Sequence, residues 1–411
     1  MQMVPVHYSD LQLLHSFFCT EQEPLTVYDP DQRLQNSLSK PLFQQNGRFN
    51  LSANGTGMND SMLFYFGNAN WNKGKKFIYI NNPDGTMRWI IPAGLHHTPH
   101  LALYNASTLK ARIYKTASSV LFALGKGELL ASGTFCVEDH IVTAMEERFG
   151  ISPGENYAVF TGTRGNTRKV VIATGRQTIT HFIKIAISDK SSQLINNEAN
   201  MLKELTKYDF TTLSLPRVTD PRINGTARLT NVKPAATIPA QKINDLHIRT
   251  LTELYSVSHE TKGLSQSAAW KSISNNMDWM QREHELTNGL DELKTRRIIH
   301  LLRKLYNSLP TDLKIPVSVS HGDFTPWNMY CDVHRLYVYD WELSSNGIPM
   351  LFDLFHFVMQ SQALIHHQSY PAIRAMINQT IRQPNVQRLI GKYNIDPELH
   401  YQIGRASCRE R

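Results

Sequence analysis

Length, composition and charge place broad limits on this chain. It has 411 residues, of which 41% are hydrophobic and 19% charged, and these values are typical of a folded protein with two or three domains. No apolar run approaches the roughly 18 residues of a membrane-spanning helix. The net charge of +8 is not gathered into a dense basic stripe, so a nucleic-acid partner is not expected.

The first residues, the cysteines and the last residues carry three further indications. The opening "MQMVPVHYSDLQLLHSFFC" lacks a basic leader, so no secretory signal is expected. The four cysteines are far apart and form no CxxC pair, which favours a reducing, cytoplasmic location. Residues 403–411, "IGRASCRER", look like a translated sequencing-adapter read, the alternative being a genuine polar tail. Their three Arg and one Glu, if excluded, lower the net charge from +8 to +6.

Residues 1–150 contain no motif to which a role can be assigned. Roughly the first 60 are polar and irregular and predict little regular structure. The segment "KKFIYINNPDGTMRWII" predicts a hairpin, because two apolar runs flank the turn residues Pro83, Asp84 and Gly85. The segment "TASSVLFALGKG" predicts a short helix that ends near Gly125.

One cluster in this first region suggests an alternative function. His96, His97 and His100 lie together in "HHTPH". Zinc sites use such side chains, but this group has no obvious fourth ligand and no helical context, so loop histidines are favoured over a metal site.

The region 155–234 has the pattern of a small β-rich domain. "YAVFTGTRGNTRKVVIATG" predicts a strand, a glycine-containing turn and a second strand, and "THFIKIAIS" predicts another strand. "SSQLINNEANMLKELTKY" predicts a helix with Ser191 or Ser192 as its cap. "LSLPRVT" and "TARLTNV" have β-like patterns.

The region 235–402 is predicted to be mainly helical. Helical apolar spacing is found in "INDLHIRTLTELYSVS", "LDELKTRRIIHLLRKLYNSL" and "MLFDLFHFVMQSQALI". The segment "HGDFTPWNMYCDVHRLYVYDWE", residues 321–342, interrupts these helices with loop and strand. A small β lobe followed by a large helical lobe is an α+β arrangement.

The side chains of residues 321–342 fit phosphoryl transfer, which depends on positioning and charge neutralisation. Asp323 is the candidate base that orients an acceptor hydroxyl. Asn328 and Asp340 are candidate Mg²⁺ ligands, because that ion prefers hard oxygen donors. Glu342 is a candidate for a supporting role beside Asp340 or for a solvent-facing one.

The β-rich region offers the matching groups for a nucleotide. Gly162 and Gly165 would allow the backbone to approach phosphates closely, although such a pair is often only a turn. Lys184, in the middle of a predicted strand, is the candidate phosphate contact. Glu198, on the following helix, is its candidate ion-pair partner. The alternative is that Lys184 and Glu198 lie on the solvent-exposed faces of their strand and helix.

These segments resemble the aminoglycoside phosphotransferase and choline kinase family of the protein-kinase-like fold. "HGDFTPWN" resembles the family's catalytic loop, "YDWE" its metal-binding Asp, "HFIKIA" and "NEANMLKEL" its phosphate lysine and partner glutamate, and "FDLFHF" the helix that follows. The resemblance implies a nucleotide-binding lobe at 155–234 and a helical lobe at 235–402 with the catalytic loop, the metal site and the acceptor pocket. A separate α/β region, residues 1–150, precedes them.

The resemblance also implies a role for individual residues. Asp323 becomes the catalytic base, Asn328 and Asp340 the Mg²⁺ ligands, and Asp353 a structural acceptor for loop N–H groups. The remaining implied nucleotide-binding residues are Gly162, Gly165, Lys184, Glu198 and the connector Thr230, Asn231 and Val232, near which adenine would lie.

The expected function is therefore transfer of the γ-phosphate of ATP, with Mg²⁺, to a hydroxyl of a small molecule. Between Asp353 and Gln402 there are three acids and four Lys or Arg, which favours a sugar or another neutral or anionic alcohol over a polycationic aminoglycoside. An inactive nucleotide-binding regulatory or scaffold protein is the main alternative, and an aminoglycoside kinase a lesser one. A protein kinase is disfavoured, because "DWE" stands where "DFG" is expected.

Overall fold

In the computed structural model of this chain, the described residues are 8–18, 25–28, 49–52, 63–65, 74–104, 109–219, 225–234, 237–271, 274–275, 299–300, 303–304, 307, 309 and 312–408. They form two compact units. Unit 1 comprises Met1–Asn196 and Arg217–Asn231, and unit 2 comprises Asn197–Pro216 and Val232–Arg411. Across the described ranges, no helix is both long and apolar enough to cross a membrane.

In its described residues, unit 1 is built on a sheet of eleven strands, in the order β11-β12-β9-β8-β7-β5-β4-β6-β3-β1-β2. Most neighbours are antiparallel, whereas β1 pairs in parallel with both β2 and β3. With strands numbered along the whole chain, those of unit 1 are β1 (Leu25–Tyr28), β2 (Phe49–Ser52), β3 (Leu63–Tyr65), β4 (Gly74–Asn81), β5 (Met87–Pro92), β6 (Gly133–Glu138), β7 (Asn156–Phe160), β8 (Lys169–Gly175), β9 (His181–Ala186), β11 (Val218–Thr219) and β12 (Thr226–Thr230).

The helices α1 (Tyr8–Phe18), α2 (Leu109–Ala123) and α3 (Asp139–Arg148) belong to unit 1, and α4 (Asp189–Leu205) begins there. Side chains from α1, α3 and strands β4 to β9 share one hydrophobic core. Leu14 of α1 and Ile172 of β8 are both fully buried in it. The sheet and this core therefore continue from the first 150 residues into the predicted nucleotide-binding region.

The predicted β4–β5 hairpin is confirmed. The Gly85 N–H donates to the Asn82 carbonyl at 3.0 Å, and Gly85 has a φ of 85°, where glycine is favoured. The Asp84 carboxylate accepts the Thr86 N–H at 3.0 Å. These bonds close the turn, so Ile78 and Ile91 pair across the two strands.

Two helix predictions in unit 1 need correction at their ends. Helix α2 begins at Leu109, before the predicted segment, and ends at Ala123, close to the expected Gly125. Helix α4 begins at Asp189, so a cap at Ser191 or Ser192 was wrong. Ser188 precedes the helix and its Oγ accepts the Ser191 N–H, while the Ser191 Oγ accepts the Ser188 N–H. This reciprocal pair caps the helix three residues earlier than expected.

Unit 2 combines two small sheets with helices. One sheet has four strands, in the order β10-β17-β16-β13, and the other has three, in the order β14-β15-β18. Their bounds are β10 (Leu213–Ser214), β13 (Ile238–Pro239), β14 (Glu260–Gly263), β15 (Lys314–Ser320), β16 (Met329–Cys331), β17 (Leu336–Val338) and β18 (Ser345–Pro349). The remaining helices are α5 (Asp245–Ser256), α6 (Phe352–Gln360), α7 (Tyr370–Ile381), α8 (Pro384–Tyr393) and α9 (Pro397–Cys408).

The α+β class is confirmed, and so are the helices predicted at α5 and α6. Asn244 caps α5 through its side chain, which accepts the His247 N–H. The helix predicted over 290–309 falls largely outside the described residues. The first 60 residues were expected to be irregular, yet they contain α1, and Leu11 and Phe17 of that helix are buried.

Candidate active site

A short hairpin explains the spacing between Asn328 and Asp340. Strands β16 and β17 pair antiparallel, and Met329 faces Val338 at one end. Asn328 and Asp340 extend beyond that same end, and the Tyr339 N–H donates to the Asn328 carbonyl at 2.9 Å. Asp332 closes the opposite end, because its carboxylate accepts two backbone N–H groups of the turn. The hairpin thus brings two oxygen-bearing side chains to one edge.

Asp323 and Asn328 are in direct contact. The Asn328 Nδ2 donates to the Asp323 Oδ2 at 2.9 Å and to its backbone carbonyl at 3.0 Å. Asn328 is almost completely buried, in the short helical turn Pro326–Asn328. Because Nδ2 is the donor, the amide oxygen is the atom that remains suited to a metal.

Asp353, the first acid of α6, fixes the backbone of this loop. Its carboxylate accepts the N–H groups of His321 at 2.8 Å and Gly322 at 3.0 Å, together with the Ser320 hydroxyl at 2.8 Å. Asp353 is only 1% exposed. Gly322 has a φ of 81°, and a Cβ there would lie 2.1 Å from the Leu343 carbonyl oxygen. The loop therefore requires both the acid and the glycine, and Asp353 has the structural contacts that the resemblance implies.

His321 is a neutral member of the same loop. The Asp323 N–H donates to its Nδ1 at 3.1 Å, so Nε2 carries the hydrogen and donates to the Tyr339 carbonyl at 2.9 Å. Complete burial lowers the pKa of this imidazole. These contacts give His321 a role in the shape of the loop.

Asp340 lies in an acidic group next to the hairpin. Its backbone is left-handed, with φ 65° and ψ 58°, a conformation that is uncommon outside glycine and often found at functional positions. Carboxylate oxygens of Glu198, Asp340 and Glu342 lie within 4.8 Å of one another. Glu198 is fully buried, and its Oε1 accepts the Trp341 N–H at 3.2 Å. Sequence reasoning assigned Glu198 to the lysine and missed its place beside Asp340.

Lys184 lies in the middle of β9 in unit 1. Its neighbours across the sheet are Val171 of β8 and Ala227 of β12. The residue is 7% exposed, so the alternative of a solvent-facing lysine was wrong. The predicted ion pair joins Lys184 of unit 1 to Glu198 of unit 2 and stays a prediction.

The glycine-containing turn between β7 and β8 is closed by Arg168. The Arg168 Nε donates to the Thr161 carbonyl at 2.8 Å, across the turn. Gly162 has a φ of 77°, and a Cβ there would lie 2.1 Å from the Lys169 carbonyl oxygen. An added Cβ at Gly165 would meet no atom within 4 Å. The close approach at Gly162 is thus to the turn itself, and phosphate contact at either glycine stays a prediction.

Asp10 of α1 contacts the same turn. Its carboxylate accepts the Met87 N–H at 3.0 Å and lies 3.9 Å from the Arg168 guanidinium. Thr161 also donates its hydroxyl to the Met87 carbonyl at 2.6 Å. Asp10 is fully buried and Arg168 nearly so. A buried polar cluster of Asp10, Thr161 and Arg168 therefore links the first helix to the glycine turn, which sequence reasoning did not detect.

The connector residues expected near adenine fall in both units. In unit 1, Thr230 accepts the Arg217 N–H through its hydroxyl at 2.9 Å, and Asn231 donates its N–H to the Thr180 carbonyl at 2.7 Å. Val232 begins a segment of unit 2, half-buried. Adenine contact by these three residues stays a prediction.

The alternative zinc site is not supported by the described residues. His100 is fully buried beside Trp89 and Phe122, at ring-centroid distances of 5.8 Å and 5.3 Å. Within the described part of the chain, Glu198, Asp340 and Glu342 form the one group of three metal-binding side chains. Cys331 is buried, and burial raises the pKa of its thiol.

One polar residue of the site was missed altogether. The Nε2 of His356, on α6, lies 2.9 Å from the Asp323 Oδ1. In "FDLFHF" the histidine stands among apolar residues, so its only sequence signal was the spacing of three residues after Asp353, which places both on one face of a helix.

Solved structures that match part of this chain include several small-molecule kinases. The complex of APH(2")-IIia with GDP and kanamycin is 12% identical and matches 65% of this chain and 87% of its own, with a TM-score of 0.41. A glucosamine kinase with glucosamine, ADP and inorganic phosphate is 12% identical, covering 80% of this chain and 84% of its own, with a TM-score of 0.37. A Plasmodium vivax ethanolamine kinase is 12% identical, covering 65% and 80%, with a TM-score of 0.40.

A search of curated proteins found no match. In contrast, the model of the phosphotransferase enzyme family (APH) matches residues 159–375. That range covers more than half of the chain, and it includes Lys184 and the whole loop that carries Asp323, Asn328 and Asp340. The family expected from the sequence motifs is confirmed, and the chain belongs to the phosphotransferase enzyme family.

Proposed function

We propose that this phosphotransferase moves the γ-phosphate of ATP to a hydroxyl of a sugar or another neutral or anionic alcohol. The observation that carries the proposal is the contact of Asp323 with Asn328, on the loop whose hairpin also presents Asp340. A carboxylate, an amide oxygen and a second carboxylate at one edge are the groups that a kinase needs for its base and its metal.

Asp323 is the proposed base. A base must lie within hydrogen-bond reach of the hydroxyl proton that it accepts. The side chain of Asp323 is 25% exposed, whereas Asp353 in the same unit is buried. The partly exposed carboxylate is the one that an acceptor hydroxyl can reach.

Asn328 and Asp340 are the proposed magnesium ligands. Both offer oxygen, the donor that this hard cation prefers, and Glu342 adds a carboxylate within the same group as Asp340. The donor set therefore fits Mg²⁺. When bound, the ion would neutralise charge on the phosphates. Lys184 is proposed to contact the phosphates from unit 1, with Gly162 and Gly165 covering them.

The charge distribution supports the proposed acceptor class. Each of the three acids between residues 353 and 402 has a partner within unit 2. Asp353 binds loop N–H groups, Asp396 accepts the N–H groups of Glu398 and Leu399, and Glu398 pairs with Arg374. Binding of a polycation would favour carboxylates directed at the ligand, so a neutral or anionic alcohol fits this part of unit 2 better.

The test is ADP release from MgATP in the presence of a panel of sugars, amino alcohols and aminoglycosides. We expect release with a sugar or a related alcohol, dependence on Mg²⁺, and a loss of about 10²- to 10⁴-fold in kcat for Asp323→Ala. Asp209→Ala, which changes an exposed acid of the same unit, is the matched control and should retain wild-type kcat.

Other results would change the assignment. Nucleotide binding without turnover on any acceptor would favour an inactive regulatory protein. Turnover by Asp323→Ala at the wild-type rate would remove Asp323 from the base role. Preference for aminoglycosides would overturn the proposed acceptor class.

A further inference from the structure

A buried histidine contacts the proposed base from a different element. His356 is 0% exposed, and its Nε2 lies 2.9 Å from the Asp323 Oδ1. An ionised carboxylate can only accept hydrogen bonds, so the Nε2 of His356 carries the hydrogen. His356 lies 33 positions after Asp323 in the sequence, outside the loop motif of residues 321–342.

The two oxygens of Asp323 have different donors. His356 binds Oδ1 and Asn328 binds Oδ2, each at 2.9 Å. A carboxylate held at both oxygens cannot rotate about its terminal torsion without breaking one of these bonds. Removal of His356 would leave the Asn328 bond at Oδ2 and remove the bond that fixes Oδ1.

Helix α6 fixes the position of His356. Asp353, three residues earlier on the same helix, binds the N–H groups of His321 and Gly322. The imidazole also stacks on Phe352, with a centroid distance of 5.8 Å and an interplanar angle of 14°. One helix face therefore determines both the backbone of the loop and the orientation of its carboxylate.

We propose that His356 is a positioning residue, which holds the Asp323 carboxylate in the orientation that accepts the acceptor proton. The inference rests on the proposed function. Effective acid–base catalysis needs the reacting groups in near-attack geometry, and small displacements cost roughly 10²-fold in rate. His356 thus acts through Asp323 and does not touch the substrate.

The test compares variants that differ in hydrogen-bond reach. The amide nitrogen of glutamine is the same number of bonds from Cα as the histidine Nε2, and that of asparagine is one bond closer. We expect His356→Gln to keep kcat within about fivefold of wild type, and His356→Asn to lower it about 10- to 100-fold. The KM for MgATP should change less than twofold in both.

A matched control separates this role from general stability. His400 is another buried histidine of unit 2, whose Nε2 faces the Pro316 carbonyl at 3.3 Å. His400→Asn should lower the midpoint of thermal unfolding while leaving the kcat of the folded protein unchanged. Wild-type kcat in His356→Asn, or equal losses in the Gln and Asn variants, would overturn the inference.

A second measurement does not depend on turnover. In protein labelled with ¹⁵N-histidine, the His356 signal, identified by its loss in His356→Gln, should show a hydrogen on Nε2 and should shift in Asp323→Ala. An unchanged signal in Asp323→Ala would contradict the contact. Absence of ADP release from the wild type with every acceptor, beside a shifted signal, would instead reject the proposed function alone.

Discussion

The candidate catalytic loop of unit 2 and the glycine turn of unit 1 are each fixed by a buried charged side chain, but the two charges have opposite signs. Asp353 is an anion that accepts the N–H groups of His321 and Gly322. Arg168 is a cation that donates to the Thr161 carbonyl. In each case the buried charge selects which backbone groups face inward.

Because the peptide bond is planar, the backbone groups that face the buried charge also determine which backbone groups point away from it. In a trans peptide the C=O and N–H groups point in opposite directions, and none of the described peptide bonds is cis. The peptide that directs the Thr161 carbonyl toward Arg168 directs the Gly162 N–H away from it. The peptides bound by Asp353 direct their carbonyl groups away from that acid. A buried cation thus suits a turn that would bind phosphate, and a buried anion suits a loop that would bind a cation.

The largest expected effect on the free energy of unfolding comes from replacing Asp353, the buried anion. Asp353→Ala removes the acceptor from two buried N–H groups and the Ser320 hydroxyl, and each unsatisfied group costs about 1–3 kcal/mol. We expect the free energy of unfolding, measured with urea, to fall by about 4 kcal/mol. Asp323→Ala removes one acceptor each from His356 and Asn328, but its carboxylate is 25% exposed and water can replace it, so the loss should be smaller, about 1–2 kcal/mol. Equal losses in the two variants would refute the division between structural and chemical acids.

The next largest effect is expected from replacing Arg168, the buried cation. Arg168→Met removes the donor to Thr161 and the positive charge beside Asp10. We expect a loss of about 2–3 kcal/mol in the free energy of unfolding, since the partner groups stay buried. Arg164→Met, an exposed arginine of the same turn, should change it by less than about 0.5 kcal/mol.

A double-mutant cycle sharpens this result. If Asp10 and Arg168 act together, the losses of Asp10→Asn and Arg168→Met will not add. Strict additivity would show that the two residues stabilise the turn separately.

The smallest expected effect concerns His100, a buried histidine of unit 1. Burial is the one cause of its pKa shift, and no charged neighbour in the described part of the chain contributes. The ring nitrogens of His100 have no hydrogen-bond partner among the described atoms, and burial lowers its pKa from 6.5 to about 4. The unfolded chain therefore takes up a proton first as the pH falls. The stability from this group is present above pH 6.5 and is lost as the pH falls toward 4.

Between pH 7 and 5 this loss should reach about 2 kcal/mol. His100→Phe keeps an aromatic ring beside Trp89 and should reduce the dependence of unfolding free energy on pH by that amount. An identical pH dependence in the variant would show that His100 does not titrate in this range.

The candidate catalytic loop could be predicted from the sequence because its contacts are local. Asn328 reaches Asp323 across five positions, and a turn closed by Asp332 sets the distance to Asp340. The family, the α+β class and the strands around Lys184 were predicted for the same reason, since each follows from a short motif or a regular alternation.

Contacts between distant segments were not predictable in this way. In the sequence, Asp10 looks like an ordinary acid in the first turn of a helix. No nearby residue indicates that it lies beside Arg168. His356 lies in an apolar helix, where packing is the simpler interpretation. The pairing of Glu198 with Lys184 stays a prediction, and helix spacing could not show that the Glu198 carboxylate also accepts the N–H of Trp341. In each case the partner is determined by tertiary folding.

The continuous sheet of unit 1 has a consequence for how this enzyme tolerates truncation. Strand β7 lies between β5 and β8, and its Val159 and Phe160 pair with Ile90 and Trp89. Without the first 150 residues, β7 would become a sheet edge with unpaired backbone groups and apolar side chains, which is a template for intermolecular β-pairing. The N-terminal strands cover this edge, so a chain that lacks them is expected to aggregate.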